Sequence, residues 1–298
     1  MTIAESQLET WSHQGSVAQS AATYQTLRGV LERSDAPYSQ RSYSTFLQGS
    51  YGNDTNIYAD SDVDVVIRLD SAYYSDLAGL AEADKAAYEA DRSPAQYSWT
   101  TFRDEVIVQL RKAYGSAVTP GKKAILVAGS GGRRDADVLP AVAFRRYFRY
   151  ASASDQRFAE GICFWLPDGT QIINYPKQHS ANCTAKHQQT ASWFKPTVRI
   201  FKNMRNAMIA KGRLADGVAP SYFVEGMVYN VPDAQFGSSY GSTLVNALNW
   251  LNTCDRSALL CANEQYFLIH PTSPVTWRRE QFEAFLTALI SFWNDGGR

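Results

Sequence analysis

The sequence predicts an α+β fold: a mixed sheet with helices in the front of the chain and a helical lobe completing the back. Three observations carry this. The stretch Val63–Leu69 (VDVVIRL) is β-branched and alternating, as a strand is. Asp168-Gly169 sits between two apolar runs, Gly161–Leu166 and Gln171–Asn174, a strong hairpin signal. Beyond Lys195 the apolar residues return at helical spacing over 196–211, 220–230, 242–254 and 279–294.

The remaining elements follow in order. Over 3–34 the apolar positions Leu8, Trp11, Val17, Tyr24, Leu27 and Leu31 fit an amphipathic helix interrupted at Gly15. Phe46–Gln48 reads as a short strand ending at Gly49, and Thr55–Ser61 as a turn or short helix. Residues 80–113 read as helical with a break near Ser93-Pro94, because the residue before a proline is driven out of the helical region. Ala124–Val127 and Ala136–Val142 read as strands. No Pro/Gly linker separates the halves, so two packed lobes are expected, 1–190 and 191–298, with a cleft between them.

Composition narrows the function. The 298 residues carry 29 Lys+Arg and 29 Asp+Glu, so no net charge draws the chain toward nucleic acid or a membrane. No stretch is apolar for long enough to span a bilayer, and the N-terminus lacks the charged and apolar regions of a signal peptide. The four cysteines, Cys163, Cys183, Cys254 and Cys261, form no close-spaced framework and read as reduced thiols in a cytoplasmic protein. Neither a Gly-x-Ser-x-Gly elbow nor a Walker-type loop occurs.

The chemistry is concentrated in QGSYGNDTNIYADSDVDVVIRL, Gln48–Leu69. Asp62 and Asp64 are two apart on a strand, so they share a face about 7 Å apart. Like charges that close raise each other's pKa unless a cation neutralises them, and hard oxygen donors select Mg²⁺ or Mn²⁺. RRDADVLPAV offers a third carboxylate: Asp137, which opens an apolar run suited to a neighbouring strand, is preferred over Asp135. Three carboxylates can hold two ions, one activating a hydroxyl and the other steadying a leaving pyrophosphate. Gly49-Ser50 lies upstream, where a glycine admits backbone N–H groups to a phosphate and a serine adds a donor. A lone Asp-x-Asp is more simply a solvated edge strand; the upstream Gly-Ser and the later aspartate argue against that reading.

Taken together, GSYGNDTNIYADSDVDVVI resembles the signature of the polymerase-β-like nucleotidyltransferase superfamily. More narrowly it resembles the CD-NTases, bacterial relatives of cyclic GMP-AMP synthase that act in CBASS anti-phage defence. DVLPAV, IINYPKQH, FKPTVRIFKNMRN and SYFVEGMVYNVPD occur in the family's order, so the resemblance runs from Gly49 to Phe236. The compact length and INYPKQH point to the CdnE clade. The resemblance implies a polymerase-β-like core packed on a helical lobe, with Asp62, Asp64 and Asp137 as metal-binding catalytic residues.

It also assigns roles in the lobe. On a helix begun near Lys195-Pro196, Lys195, Arg199, Lys202 and Asn206 share a face opposite Val198, Phe201, Met204 and Met208. The cationic stripe is either simple solvation or, at Lys202, a β/γ-phosphate ligand, and family analogy favours the latter. Ser221, at a helix start after Pro220, matches a phosphate-binding serine of cyclic GMP-AMP synthase and Tyr222 its base-stacking tyrosine, the alternative being a plain N-cap serine with a core tyrosine. Asn174 falls near an asparagine associated in CdnE-like enzymes with a pyrimidine base, its alternative being a turn cap. His179, Cys183 and His187 lie where cyclic GMP-AMP synthase holds zinc, but three ligands fall short of the four a structural site wants, so a solvated loop is expected. His13 and His270 have no triad context.

The expected activity is synthesis of a uridine-containing cyclic dinucleotide from UTP and a second NTP, by a monomer needing no nucleic acid, with the product activating an effector. The alternatives are nucleotide transfer to RNA, protein or a small molecule, and a silent nucleotide-binding protein.

Overall fold

The computed structural model describes residues 2–15, 17–58 and 62–298. In chain order its elements begin α1 (Glu5–Ser12), α2 (Ala18–Leu31), β1 (Tyr43–Leu47), α3 (Gly49–Gly52), β2 (Val63–Asp76), α4 (Glu82–Asp91), α5 (Trp99–Tyr114), β3 (Val118–Pro120) and β4 (Ile125–Val127). They continue β5 (Ala136–Ser152), β6 (Asp155–Trp165), β7 (Gln171–Asn174), α6 (Pro176–Gln189), α7 (Phe194–Ala210), α8 (Ser221–Tyr229), α9 (Tyr240–Thr253) and α10 (Arg279–Asn294). Among the described residues no helix is long and apolar enough to cross a membrane.

The chain divides into two compact units. Ala18–Gln48 and Ser61–Pro176 form the sheet unit; Met1–Val17, Gly49–Asp60 and Lys177–Arg298 form the helical unit. This differs from the expected division at 190/191. Three long-range attachments cause the difference: α1 buries Leu8 in the helical core, α6 buries Cys183 there, and side chains of α6, α7 and α8 hold the turn that follows Gly49.

In the sheet unit the strands are ordered β1-β2-β5-β4-β3, with β6 on β5 and β7 on β6. β2 and β5 run parallel, and the other pairs are antiparallel. Val63, Val65, Val66, Ile67 and Leu69 are all 0% exposed. A strand buried on both faces has no need of strict polar alternation, which is why β2 opens as a nearly continuous apolar run. α2 packs on β1 and β2, and α5 packs on β3, β4 and β5. One edge of β5 pairs with β4 over Ala136–Val138 and with β6 from Val142 onward. Pro140 lies in the gap between, where its missing N–H removes no ladder bond on that edge. Its carbonyl accepts from the Trp99 indole N–H at 2.9 Å.

In the helical unit, Phe194, Val198, Phe201, Met204 and Met208 form the buried stripe of α7. They join Val224, Met227 and Val228 of α8 and Phe282, Phe285 and Leu289 of α10 in one core. Trp277 is wholly buried there, its indole N–H donated to the Val218 carbonyl at 2.8 Å.

The break near Ser93-Pro94, the Asp168-Gly169 hairpin and the four C-terminal helices stand where the sequence places them. β3, the extension of β5 and β6, and α6 are additions. Of the Thr55–Ser61 turn, Ala59–Ser61 lie outside the described residues, and Thr55–Tyr58 form no helix.

Candidate active site

Parallel pairing sets the carboxylates. Asp64 of β2 and Asp137 of β5 are direct register partners on adjacent strands, both half-buried. Asp62, exposed, precedes β2 by one residue. Burial raises the Asp137 carboxyl above its ordinary pKa, and the charges of Asp62 and Asp135 add to the rise. Those effects are the ones a divalent cation reverses, and a donor set of carboxylate oxygens suits a hard ion. Asp135 has other employment. Its Oδ1 accepts from the Gly129 N–H at 2.5 Å, and its carbonyl accepts from the Val63 N–H at 3.0 Å, stitching the start of β2 to β5. Asn174 ends β7 opposite Ile162, half-buried.

The helical unit holds the other candidates. Gly49 has φ +65°, a left-handed conformation that favours glycine, and with Ser50 it opens α3. The turn that follows is gripped residue by residue. Ser180 donates to the Gly52 carbonyl at 2.9 Å, and Asn53 donates to Glu225 at 2.9 Å. Lys195 pairs with the Asp54 carboxylate at 2.8 Å, and Arg199 donates to the Asp54 carbonyl at 2.6 Å. Thr55 donates its hydroxyl to Glu225 and its N–H to the Ser50 carbonyl, the latter at 2.9 Å. Gln14 donates to Asn56 at 2.7 Å.

Lys202 is 0% exposed and donates to the Thr55 carbonyl at 3.0 Å. The cationic stripe of α7 is therefore not a solvated face: Lys195, Arg199 and Lys202 hold Asp54 and Thr55. Ser221 accepts from Arg205 at 3.1 Å at the start of α8. Tyr222 is half-buried, its hydroxyl accepting from Asn263 at 2.9 Å, and burial pushes its pKa well up.

Two residues that sequence reasoning left aside stand at the centre of this arrangement. Glu225, 2% exposed, accepts from Asn53, Thr55 and His179, the last at 2.7 Å. Burial alone would raise its carboxyl; the His179 bond, the His179 and Lys202 charges and the Thr55 hydroxyl more than offset it and hold the pKa below the usual range. His179 in turn stacks on Tyr222, with ring centroids 4.9 Å apart and planes 27° apart. Both lie inside quoted motifs, IINYPKQH and SYFVEGMVYNVPD, and a glutamate within an otherwise apolar helix start was the available signal.

The segment expected as a solvated loop is instead α6, with His179 and Cys183 buried. Among the described residues, the metal-type group with ligand atoms within 4.8 Å of one another is His179, Cys183 and Glu225, not the three aspartates. It does not suit zinc. It has three donors where a closed site wants four, and burial holds the Cys183 thiol well above its ordinary pKa. His187 is outside it, its Nδ1 accepting from the Lys195 N–H at 3.4 Å.

Comparison with known proteins decides the family. A cyclic UMP-AMP synthase of Rhodothermus marinus is 37% identical over 300 residues, covering 100% of both chains. The chain belongs to the CD-NTase family. Residues 181–294 match the model of the cGAS/DncV-like nucleotidyltransferase C-terminal helical domain. The solved structure of Rhodothermus marinus CdnE c-UMP-AMP synthase with Apcpp and Upnpp superposes with a TM-score of 0.89, at 37% identity over 99% of this chain and 98% of that one. A cyclic dipurine nucleotide synthase of Elizabethkingia meningoseptica is also 37% identical, over 83% of this chain and 84% of its own. The CD-NTase is thus a nucleotidyltransferase of the CdnE type, a cyclic nucleotide synthase with a mixed sheet and a C-terminal helical domain.

Proposed function

We propose that this CD-NTase joins UTP and a second NTP into a uridine-containing cyclic dinucleotide, a signal for an effector in bacterial anti-phage defence. The observation that carries the chemistry is the register pairing of Asp64 with Asp137 on parallel strands, with Asp62 one residue ahead of β2. These three carboxylates would hold Mg²⁺ or Mn²⁺, which when bound stabilises negative charge on the reacting phosphate and its leaving pyrophosphate.

The chain's own residues do the rest. Gly49 and Ser50 offer the α3 N–H groups and a hydroxyl to a triphosphate. Lys202 contributes by fixing the carbonyl of Thr55, whose N–H is bonded to the Ser50 carbonyl, and its charge favours an anion nearby. Ser221 supplies a hydroxyl at the start of α8, and Tyr222 a ring for a base. Asn174 reads uracil, since an amide donates and accepts and can match the O and N–H of the base edge. Relatives equally identical to this chain include a dipurine synthase, so overall identity does not select the base. The uridine assignment rests on Asn174 and on the full-length likeness to the UMP-AMP enzyme.

The test uses the whole protein with Mg²⁺, NTPs labelled at the α-phosphate one at a time, and no nucleic acid. A phosphatase-resistant product supports the synthase. Label transferred only when an RNA, protein or small-molecule acceptor is added would replace it with an acceptor-directed transferase. The same reading expects a monomer working in the cytoplasm.

A further inference from the structure

The geometry points to Glu225 and His179 as positioning residues that tie the triphosphate-binding turn to the base-stacking ring, so that the two grips on a nucleotide are set together. The inference deepens the proposed function and rests on the roles given there to Ser50 and Tyr222.

Glu225 has two oxygens and uses both toward the turn. One accepts from the Thr55 hydroxyl; the other accepts from Asn53 at 2.9 Å and from His179 Nε2 at 2.7 Å. Thr55 in turn donates its N–H to the Ser50 carbonyl, and the Asn53 N–H donates to the Gly49 carbonyl at 3.1 Å. A displacement of the Glu225 carboxylate is therefore passed directly to the two residues that close the Gly49-Ser50 turn. On the other side, His179 must carry its proton on Nε2 to donate to Glu225, which fixes the ring's orientation. That ring covers one face of Tyr222 at 4.9 Å, while Asn263 holds the phenol tip.

A second observation argues that the histidine is kept for this contact. Its Nδ1 is buried and has no hydrogen-bond partner among the described residues. An orphaned buried polar atom is costly, and a phenylalanine would pack the same space without that cost. What phenylalanine cannot do is bond Glu225. The network is also screened from water, since His179 and Glu225 side chains are 3% and 2% exposed, so its bonds are not loosened by solvent exchange.

The experiment is a double-mutant cycle on the full chain, read as KM and kcat for each NTP, with melting curves in parallel. Asn53→Ala removes the turn's bond to Glu225. His179→Phe removes the ring's bond and retains the stack on Tyr222. The expected result is a rise in NTP KM of about tenfold in each single variant, with kcat changed less, because misplacement by even an ångström weakens a bound geometry strongly. Among the described residues Asn53 and His179 meet through Glu225 Oε2, so the two effects should be non-additive in the wild type and additive in a Glu225→Leu background, which has no oxygen to share. Additive effects in both backgrounds would overturn the inference, as would a His179→Phe enzyme with unchanged KM. If Glu225→Leu fails to fold, the His179→Phe arm alone decides: lost melting temperature with unchanged KM makes the network structural. Absence of any product from the wild type would instead fail the proposed function.

Discussion

Replacing Lys202 by methionine isolates the role of a buried ammonium while keeping most of its stem. The side chain is 0% exposed, and the change removes its bond to the Thr55 carbonyl and its charge opposite Glu225. Losing a hydrogen bond from a charged group costs about 1.5–3 kcal/mol, and a buried carboxylate stripped of a compensating cation adds to that. Taking about 3 kcal/mol, and roughly 2–4 °C per kcal/mol for chains of this size class, the melting temperature should fall by about 6–12 °C. Lys211, exposed just beyond α7, is the control: Lys211→Met should stay within about 0.5 kcal/mol of the wild type. The loosened turn should also weaken binding of a non-hydrolysable NTP by roughly ten- to a hundredfold. Thermal denaturation and equilibrium nucleotide binding on the same preparations check both. An unchanged melting temperature with lost binding would refute the reasoning, since Lys202 would then act on the phosphates directly rather than through Thr55. Unchanged values of both would make it dispensable.

Other outcomes follow from the sheet. Asp137→Asn should abolish turnover, whereas Asp135→Asn, which retains an oxygen for the Gly129 N–H, should keep much of it; the reverse result would move the third ligand to Asp135. The raised pKa of Asp137 means the folded chain binds that proton more tightly than the unfolded one. Stability in the absence of divalent ions should therefore fall as pH rises from about 4, the ordinary aspartate value, through the raised one, and the penalty persists above it. Asp137→Asn should remove that penalty and melt higher than the wild type at pH 7 in EDTA, but not at pH 3; equal melting at pH 7 would contradict the assignment. Asn174→Ser should relax base selection toward purines without loss of metal-dependent synthesis, measured as competing incorporation of ATP, GTP and UTP.

Local signals made the sheet readable. β-branched alternation located β2, Asp168-Gly169 located the β6–β7 hairpin, and an aspartate opening an apolar run chose Asp137, whose partner across the ladder is Asp64. What could not be read depends on distant partners. The stripe Lys195, Arg199, Lys202 looks like a solvated face until Asp54 and Thr55, some 140 residues earlier, are placed against it. α6 escaped detection because PKQHSANCTAKHQQ buries His179, Cys183 and Lys186 rather than an apolar stripe, so no helical hydrophobic period marks it. Lys186 is held by the Val231 carbonyl at 2.7 Å, and His179 by Glu225; a polar interior of this kind has no one-dimensional signature. The two compact units differ from a division at 190/191 for the same reason, since α1 and the segment after Gly49 join the helical unit through contacts far apart in the chain.

The most direct test of the account offers the purified protein all four NTPs with Mg²⁺ and resolves the products by chromatography and mass spectrometry, beside the Asp62→Asn/Asp64→Asn double variant. The account predicts a phosphatase-resistant cyclic dinucleotide containing uridine from the wild type and none from the variant, which remains folded. A wild type that consumes only ATP and GTP would contradict the uridine assignment, and a double variant that forms the product would contradict the aspartate-centred chemistry.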